Sequence, residues 1–135
     1  MGSEVYELTI DDVLTIFEEI VGISRFQGLR SRQLLESAVH APFQTFDGAY
    51  LYNSLFTMAA ALMRSISENQ PFTDNNKRVA WIATVAFLAF NGFDLRLDAN
   101  SSLRLMTAIA VDHLEIREIA EILLQNTVSV ETENA

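Results

Sequence analysis

Apolar positions recur along the chain at the three- and four-residue spacing of helices, and polar stretches interrupt them at a few well-marked places. Thr9 followed by Asp11 and Asp12 predicts a helix start, because a short hydroxyl side chain accepts from a free first-turn amide and acidic groups favour the positive end of the dipole. Val13, Leu14, Ile16, Phe17, Ile20 and Val21 then form one stripe that ends at Gly22. A second helix is expected from Ser31 to just before Pro42, with Leu34, Leu35, Ala38 and Val39 inward. A third runs from about Leu51 to Glu68, with Leu55, Met58, Ala59, Leu62, Met63 and Ile66 on its apolar face. Its many small residues predict a central position.

After a polar break at residues 68–75, the run from Asn76 to Phe90 is apolar nearly all round, which predicts a helix buried on most faces. Asn91-Gly92 supplies the expected left-handed stop. Residues 93–97 alternate apolar and charged and predict a short extended segment or flap. Two more helices follow, at about 100–112 and 115–125. With only five glycines and two prolines, a turn-rich all-β domain is disfavoured. The expectation is one compact all-α domain of about six helices over residues 1–126, followed by an acidic, disordered tail at 127–135.

Composition narrows the function. The 135 residues carry 9 basic against 18 acidic groups, a formal charge of -9, so direct nucleic-acid binding, which rests on clustered cations, is not expected. There is no cysteine, hence no disulfide framework, thiolate nucleophile or thiolate metal ligand. The longest apolar run, Val79 to Phe90 broken only by Thr84, is too short to span a bilayer, and a cytoplasmic protein without membrane contact is expected. Eight of the nine basic residues are arginines, and Lys77 is the single lysine.

That lysine lies where unusual residues cluster: Asn69-Gln70-Pro71-Phe72-Thr73-Asp74-Asn75-Asn76-Lys77-Arg78. The segment opens the most apolar helix. Free backbone amides, the positive dipole end and two adjacent cations together suit an anion such as phosphate. A plainer reading stays open, in which Asp74, Asn75 and Asn76 cap the helix, Phe72 plugs the core and Lys77-Arg78 is a solvated first turn. Cations in a first turn oppose the dipole, which weighs toward a bound anion.

The segment resembles the signature loop of the Fic/Doc family, whose Doc branch reads roughly His-Pro-Phe-x-Asp-Gly/Ala-Asn-Lys-Arg. Pro71, Phe72, Asp74, Asn76, Lys77 and Arg78 match in register. Gly28-Leu29-Arg30, Leu34-Leu35-Glu36-Ser37-Ala38, Pro42, Phe46 and Gly48 upstream, and Phe87-Leu88 and Asn91-Gly92 downstream, are similar to the flanking stretches of death-on-curing proteins, so roughly residues 8–125 are covered. AMP-transferring relatives carry a second glycine and a second arginine where this chain has Lys77 and Trp81, which sets it on the death-on-curing branch.

The resemblance implies a compact helical toxin paired with a Phd-like antitoxin that folds on binding. It also implies ATP- and Mg²⁺-dependent phosphoryl transfer to a hydroxyl of a translation protein, elongation factor Tu. Phe72, Asn75, Asn76, Lys77 and Arg78 would bind nucleotide and phosphates; Asp74, Lys77 and Arg78 would serve catalysis, with Asp74 orienting Mg²⁺ or substrate. Alternatives are a non-catalytic member acting as a binding partner and an AMP-transferring enzyme.

Two positions depart from the pattern. The family's general-base histidine falls at Gln70, whose neutral amide orients a hydroxyl without taking its proton. Losing a positioned base typically costs about 100- to 10,000-fold in rate, so the chain is expected to be inactive or severely impaired. Gln70 is either an inactivating substitution in a toxic protein or the natural residue of a degenerate member. Asn75 replaces a glycine or alanine and is expected to weaken nucleotide binding. His40 and His113 read as helix-end groups, not substitutes for the base. Ser129-Val130-Glu131-Thr132-Glu133-Asn134 weakly resembles the inhibitory motif of some relatives, but the arginine such a glutamate engages is replaced by Trp81. A solvated acidic tail is the default.

Overall fold

The computed structural model describes residues 5–130. Helix α1 (Ile10–Val21) starts at Thr9, which accepts from the Asp12 amide while the Asp12 carboxylate accepts from the Thr9 amide, and stops at Gly22 with φ 80°. A single turn, α2 (Arg25–Gly28), follows Ser24, and α3 (Arg32–His40) starts at Ser31, whose hydroxyl accepts from the Leu34 amide at 3.1 Å. A 3-10 turn at Ala41–Phe43 leads into a hairpin of β1 (Thr45–Phe46) and β2 (Ala49–Tyr50) around Asp47-Gly48, both at positive φ. Helix α4 (Leu55–Asn69) begins in a reciprocal cap between Ser54 and Thr57. Then come α5 (Asn76–Phe90), β3 (Phe93–Leu95), α6 (Ala99–Asp112), α7 (Ile116–Gln125) and β4 (Thr127–Ser129).

Helix α4 is the central element, packed on by α3, α5, α7 and the 3-10 turn. Every residue from Met58 to Met63 is buried, and the Ala59-Ala60-Ala61 run brings neighbouring backbones close. Phe17 and Phe87 are buried in the core together with Leu62 and Ile66 of α4 itself, and the stripe read from α1 buries Val13, Leu14 and Phe17. No helix among the described residues is long and apolar enough to cross a membrane.

The fold is all-α, with seven α-helices among the described residues and two small antiparallel pairs. The helix beyond six is α2, too short for a periodic signature. Its Arg25 side chain is bonded to Glu18 and Asp11 of α1, and the hydrogen bonds from Arg25 hold the Glu18 carboxyl below its ordinary range. Helix α4 starts at Leu55, not Leu51, because the Ser54 cap defines its first turn.

The alternating segment at 93–97 is extended as expected, but it is no free flap. Phe93, Asp94 and Leu95 pair with Ser129, Val128 and Thr127, and the Val130 amide reaches the Gly92 carbonyl at 2.9 Å. Residues 127–129, expected to fray, are therefore a strand: burial of Leu95 and main-chain pairing outweigh their polar flank. The rest of the expected tail, and with it Glu131 to Asn134 of the inhibitory-like motif, lies outside the described residues.

Candidate functional site

Helix α4 ends at Gln70 in a left-handed conformation (φ 48°, ψ 60°), its amide on the Ile66 carbonyl. A non-glycine residue holds that shape only when its surroundings enforce it. Here the enforcing groups come from the α2–α3 junction. Arg30 donates from Nε to the Gln70 carbonyl at 2.8 Å and from Nη2 to the Asn69 carbonyl at 2.9 Å. The Arg30 and Ser31 amides both reach the Pro71 carbonyl, and the Thr73 amide returns to the Gly28 carbonyl at 2.8 Å.

Phe72 anchors the loop from beneath. Its ring is 1% exposed and stacks on Phe17 with centroids 4.3 Å apart. Gly28 makes room for this stack, since a Cβ there would run into the Phe17 ring. The Asn76 side chain then closes the loop, accepting from the Phe72 amide at 2.9 Å and donating to the Phe72 carbonyl at 3.0 Å. Two expectations change accordingly. Phe72 lies in the core and does not line the cleft, because the Phe17 stack captures its ring. Asn76 lines the cleft, but its side-chain amide is committed to shaping the loop and not left free for phosphate.

The loop borders a cleft of about 310 Å³. Its walls are Ser67 and Gln70 from the end of α4, Thr73 to Asn75 from the loop, Asn76 and Lys77 from the start of α5, and Ala110 of α6. A second cleft of about 330 Å³ shares Ser67, Gln70 and Ala110 and adds Glu68 and His113. Gln70, Asp74, Asn75, Asn76 and Lys77 are thus brought together as expected. Arg78 is exposed and stands outside the walls. His113 sits at the left-handed end of α6 and reaches the second cleft, whereas His40 lines a separate cleft with Glu7 and Asp11.

The electrostatics are unusual for so acidic a chain. Helices α1, α3, α4 and α6 each receive a side-chain cap, but α5 receives none. Its cap residue, Asn75, is left-handed at φ 65°, which explains why glycine suits this position and why asparagine is tolerated. Asp74 bonds the Asn75 amide at 2.8 Å instead of reaching the first turn. The capping part of the plain reading therefore fails and the amides at the α5 start stay open, while its placement of Phe72 in the core and of Lys77 and Arg78 in an exposed first turn holds. Among the described residues, Arg25, Arg32, Arg64 and Arg96 are paired with acids, and Lys77 and Arg78 are among the five cations that are not. An uncapped helix start beside unpaired cations favours an anion electrostatically.

No group of three or more metal-binding side chains occurs among the described residues. Asp74 is a lone carboxylate at the cleft, a donor set that suits Mg²⁺ only when phosphate oxygens and water complete the shell. Trp81, one turn into α5, packs partly buried against the core, so no second arginine faces the loop from that position. Sequence reading missed Ser67, Thr73 and Ala110 as cleft residues and Arg30 as the loop's brace; only the Gly28-Leu29-Arg30 similarity hinted at the last.

Comparison with known proteins agrees with this construction. Residues 7–88 match the family described as Fic/DOC family. The chain is also similar to Toxin Doc of Mycolicibacterium smegmatis (strain ATCC 700084 / mc(2)155), with 36% identity over 115 residues covering 82% of this chain and 85% of the relative. With a matching domain over most of its length and a brace, anchor and clasp that shape the signature loop, the chain belongs to the Fic/DOC family.

Proposed function

We propose that this chain is a Doc-type toxin of a toxin–antitoxin system, built to hold nucleotide phosphates at the start of α5 and impaired in phosphoryl transfer by Gln70. The observation that carries the reading is the uncapped first turn of α5 with an unpaired Lys77 in the cleft wall. The similarity to Toxin Doc supports the toxin role, and with it an antitoxin partner. A Phd-like antitoxin, a cytoplasmic setting and elongation factor Tu as target are the finer parts of the proposal.

In this reading Lys77 and the open amides neutralise phosphate charge, and Arg78 adds field from outside the wall. Bound ATP with Mg²⁺ supplies the transferable phosphoryl group, and Asp74 with phosphate oxygens would hold the ion. Phosphoryl transfer depends mainly on positioning and charge neutralisation, so these residues retain most of what the chemistry needs. Gln70 faces the same cleft and orients an acceptor hydroxyl by hydrogen bonding, but leaves its proton in place.

Gln70 also favours a second reading, a non-catalytic member that keeps the binding surface and acts as a partner. Restoring the base separates the two. Gln70→His incubated with ATP, Mg²⁺ and elongation factor Tu yields a phosphate adduct by mass spectrometry under the first reading. A product bearing AMP places the chain with AMP-transferring enzymes, and no product together with no growth arrest favours the binding partner.

A further inference from the structure

We infer that Ser67 is a ligand-binding residue whose hydroxyl donates a hydrogen bond to a phosphoryl oxygen where the two clefts meet; this rests on the phosphate reading of the site. Two polar side chains are buried among the described residues, Ser67 and Thr84. Thr84 is satisfied inside its own helix, donating to the Ala80 carbonyl at 2.8 Å. Ser65, two residues from Ser67, is likewise satisfied on the Ala38 and Leu62 carbonyls. Ser67 is 7% exposed, yet its hydroxyl has no partner in the protein.

Every fully enclosed side-chain polar atom among the described residues is satisfied, so the unpaired Ser67 oxygen is the part of the residue that still meets open space. That space is the junction, because Ser67 lines both clefts. An unpartnered hydroxyl at such a place is a donor awaiting an acceptor. Gln70, one turn further along α4, lines the same two clefts and adds a second neutral donor. Lys77 lines the first of them from α5. A phosphoryl group held there meets a cation on one side and neutral donors on the other, which fixes its orientation as well as its charge.

The two roles open to Ser67 separate cleanly. As a structural hydroxyl it has nothing to lose, since it bonds no protein group, and Ser67→Ala leaves the melting temperature unchanged or raises it. As a ligand donor its loss weakens binding of Mg·ATP by about tenfold or more, the scale of one hydrogen bond to a charged group. Calorimetric titration of the full chain with Mg·ATP, alongside Ser67→Ala and the near-isosteric Ser67→Cys, reads this directly. The cysteine variant keeps the volume while replacing a strong donor with a weak one, and is expected to lose affinity to a similar degree. Unchanged affinity in both variants, with binding lost in Lys77→Ala, overturns the role of Ser67 and leaves the phosphate site standing. Absence of Mg·ATP binding by the unaltered chain overturns both.

Discussion

The Arg30 guanidinium and the Gln70 carbonyl oxygen meet at 2.8 Å although 40 residues of chain separate them. Through this bond, and its companion to the Asn69 carbonyl, the α2–α3 junction holds the end of α4 in the left-handed turn that presents the Gln70 side chain to both clefts. Arg30→Ala is expected to lower stability by about 1–2 kcal/mol, the scale of losing two exposed charge-assisted bonds, and to raise amide exchange locally at residues 70–73. Arg30→Lys should recover little, because a single ammonium does not reproduce the two-point fork. Denaturant unfolding with site-resolved exchange checks both, and uniform exchange across the loop in all three proteins would contradict the brace.

The Phe17–Phe72 stack carries a larger expected cost. Phe72→Ala removes a fully buried ring and should destabilise the fold by about 3–5 kcal/mol. Gly28→Ala should also destabilise, since its methyl group meets the Phe17 ring. Thermal melting measures each, and a Phe72→Ala protein as stable as the parent would place the ring outside the core.

Much of this was legible in the residues themselves, and where it was not the reason is physical. Helix starts at Thr9 and Ser31 and the stop at Asn91-Gly92 follow local rules that need only a few neighbours, and the structure places them there. The single turn α2 and the β1–β2 hairpin are too short to produce a period. Residues 127–129 read as a frayed tail because their partner strand lies more than thirty residues upstream. In the site, charge and loop composition singled out Gln70, Asp74, Asn75, Asn76 and Lys77, which line one cleft. Whether Phe72 touches ligand or core depended on Phe17, a contact no local pattern reveals. Ser67 carries no sequence signal of its own, and its place at the site depends on Ala110 of α6 lining the same cleft.

Acid should weaken the junction that carries Arg30. Hydrogen bonding from Arg25 lowers the Glu18 pKa from its ordinary value of 4.5, so the folded state favours the charged carboxylate. The stabilisation is fully present above about 4.5 and is lost as pH falls through the lowered folded-state value. Glu18→Gln is therefore expected to be less stable than the parent at neutral pH, with the gap closing in acid. Melting curves across that window test it; a gap that stays constant with pH would assign the effect to packing and not to charge.

The fold and site also predict how the two adjacent cations divide their labour. Lys77 forms part of the cleft wall and Arg78 does not, so removing Lys77 should be the more damaging change despite the equal loss of charge. The most direct measurement is calorimetric binding of Mg·ATP to the unaltered chain, Lys77→Ala and Arg78→Ala at one fixed ionic strength. The account predicts measurable binding by the unaltered chain, a loss of about tenfold or more in Lys77→Ala, and a smaller loss in Arg78→Ala. Affinity in Lys77→Ala equal to that of the unaltered chain, or no binding by the unaltered chain at all, would contradict the claim that the uncapped start of α5 is a phosphate site.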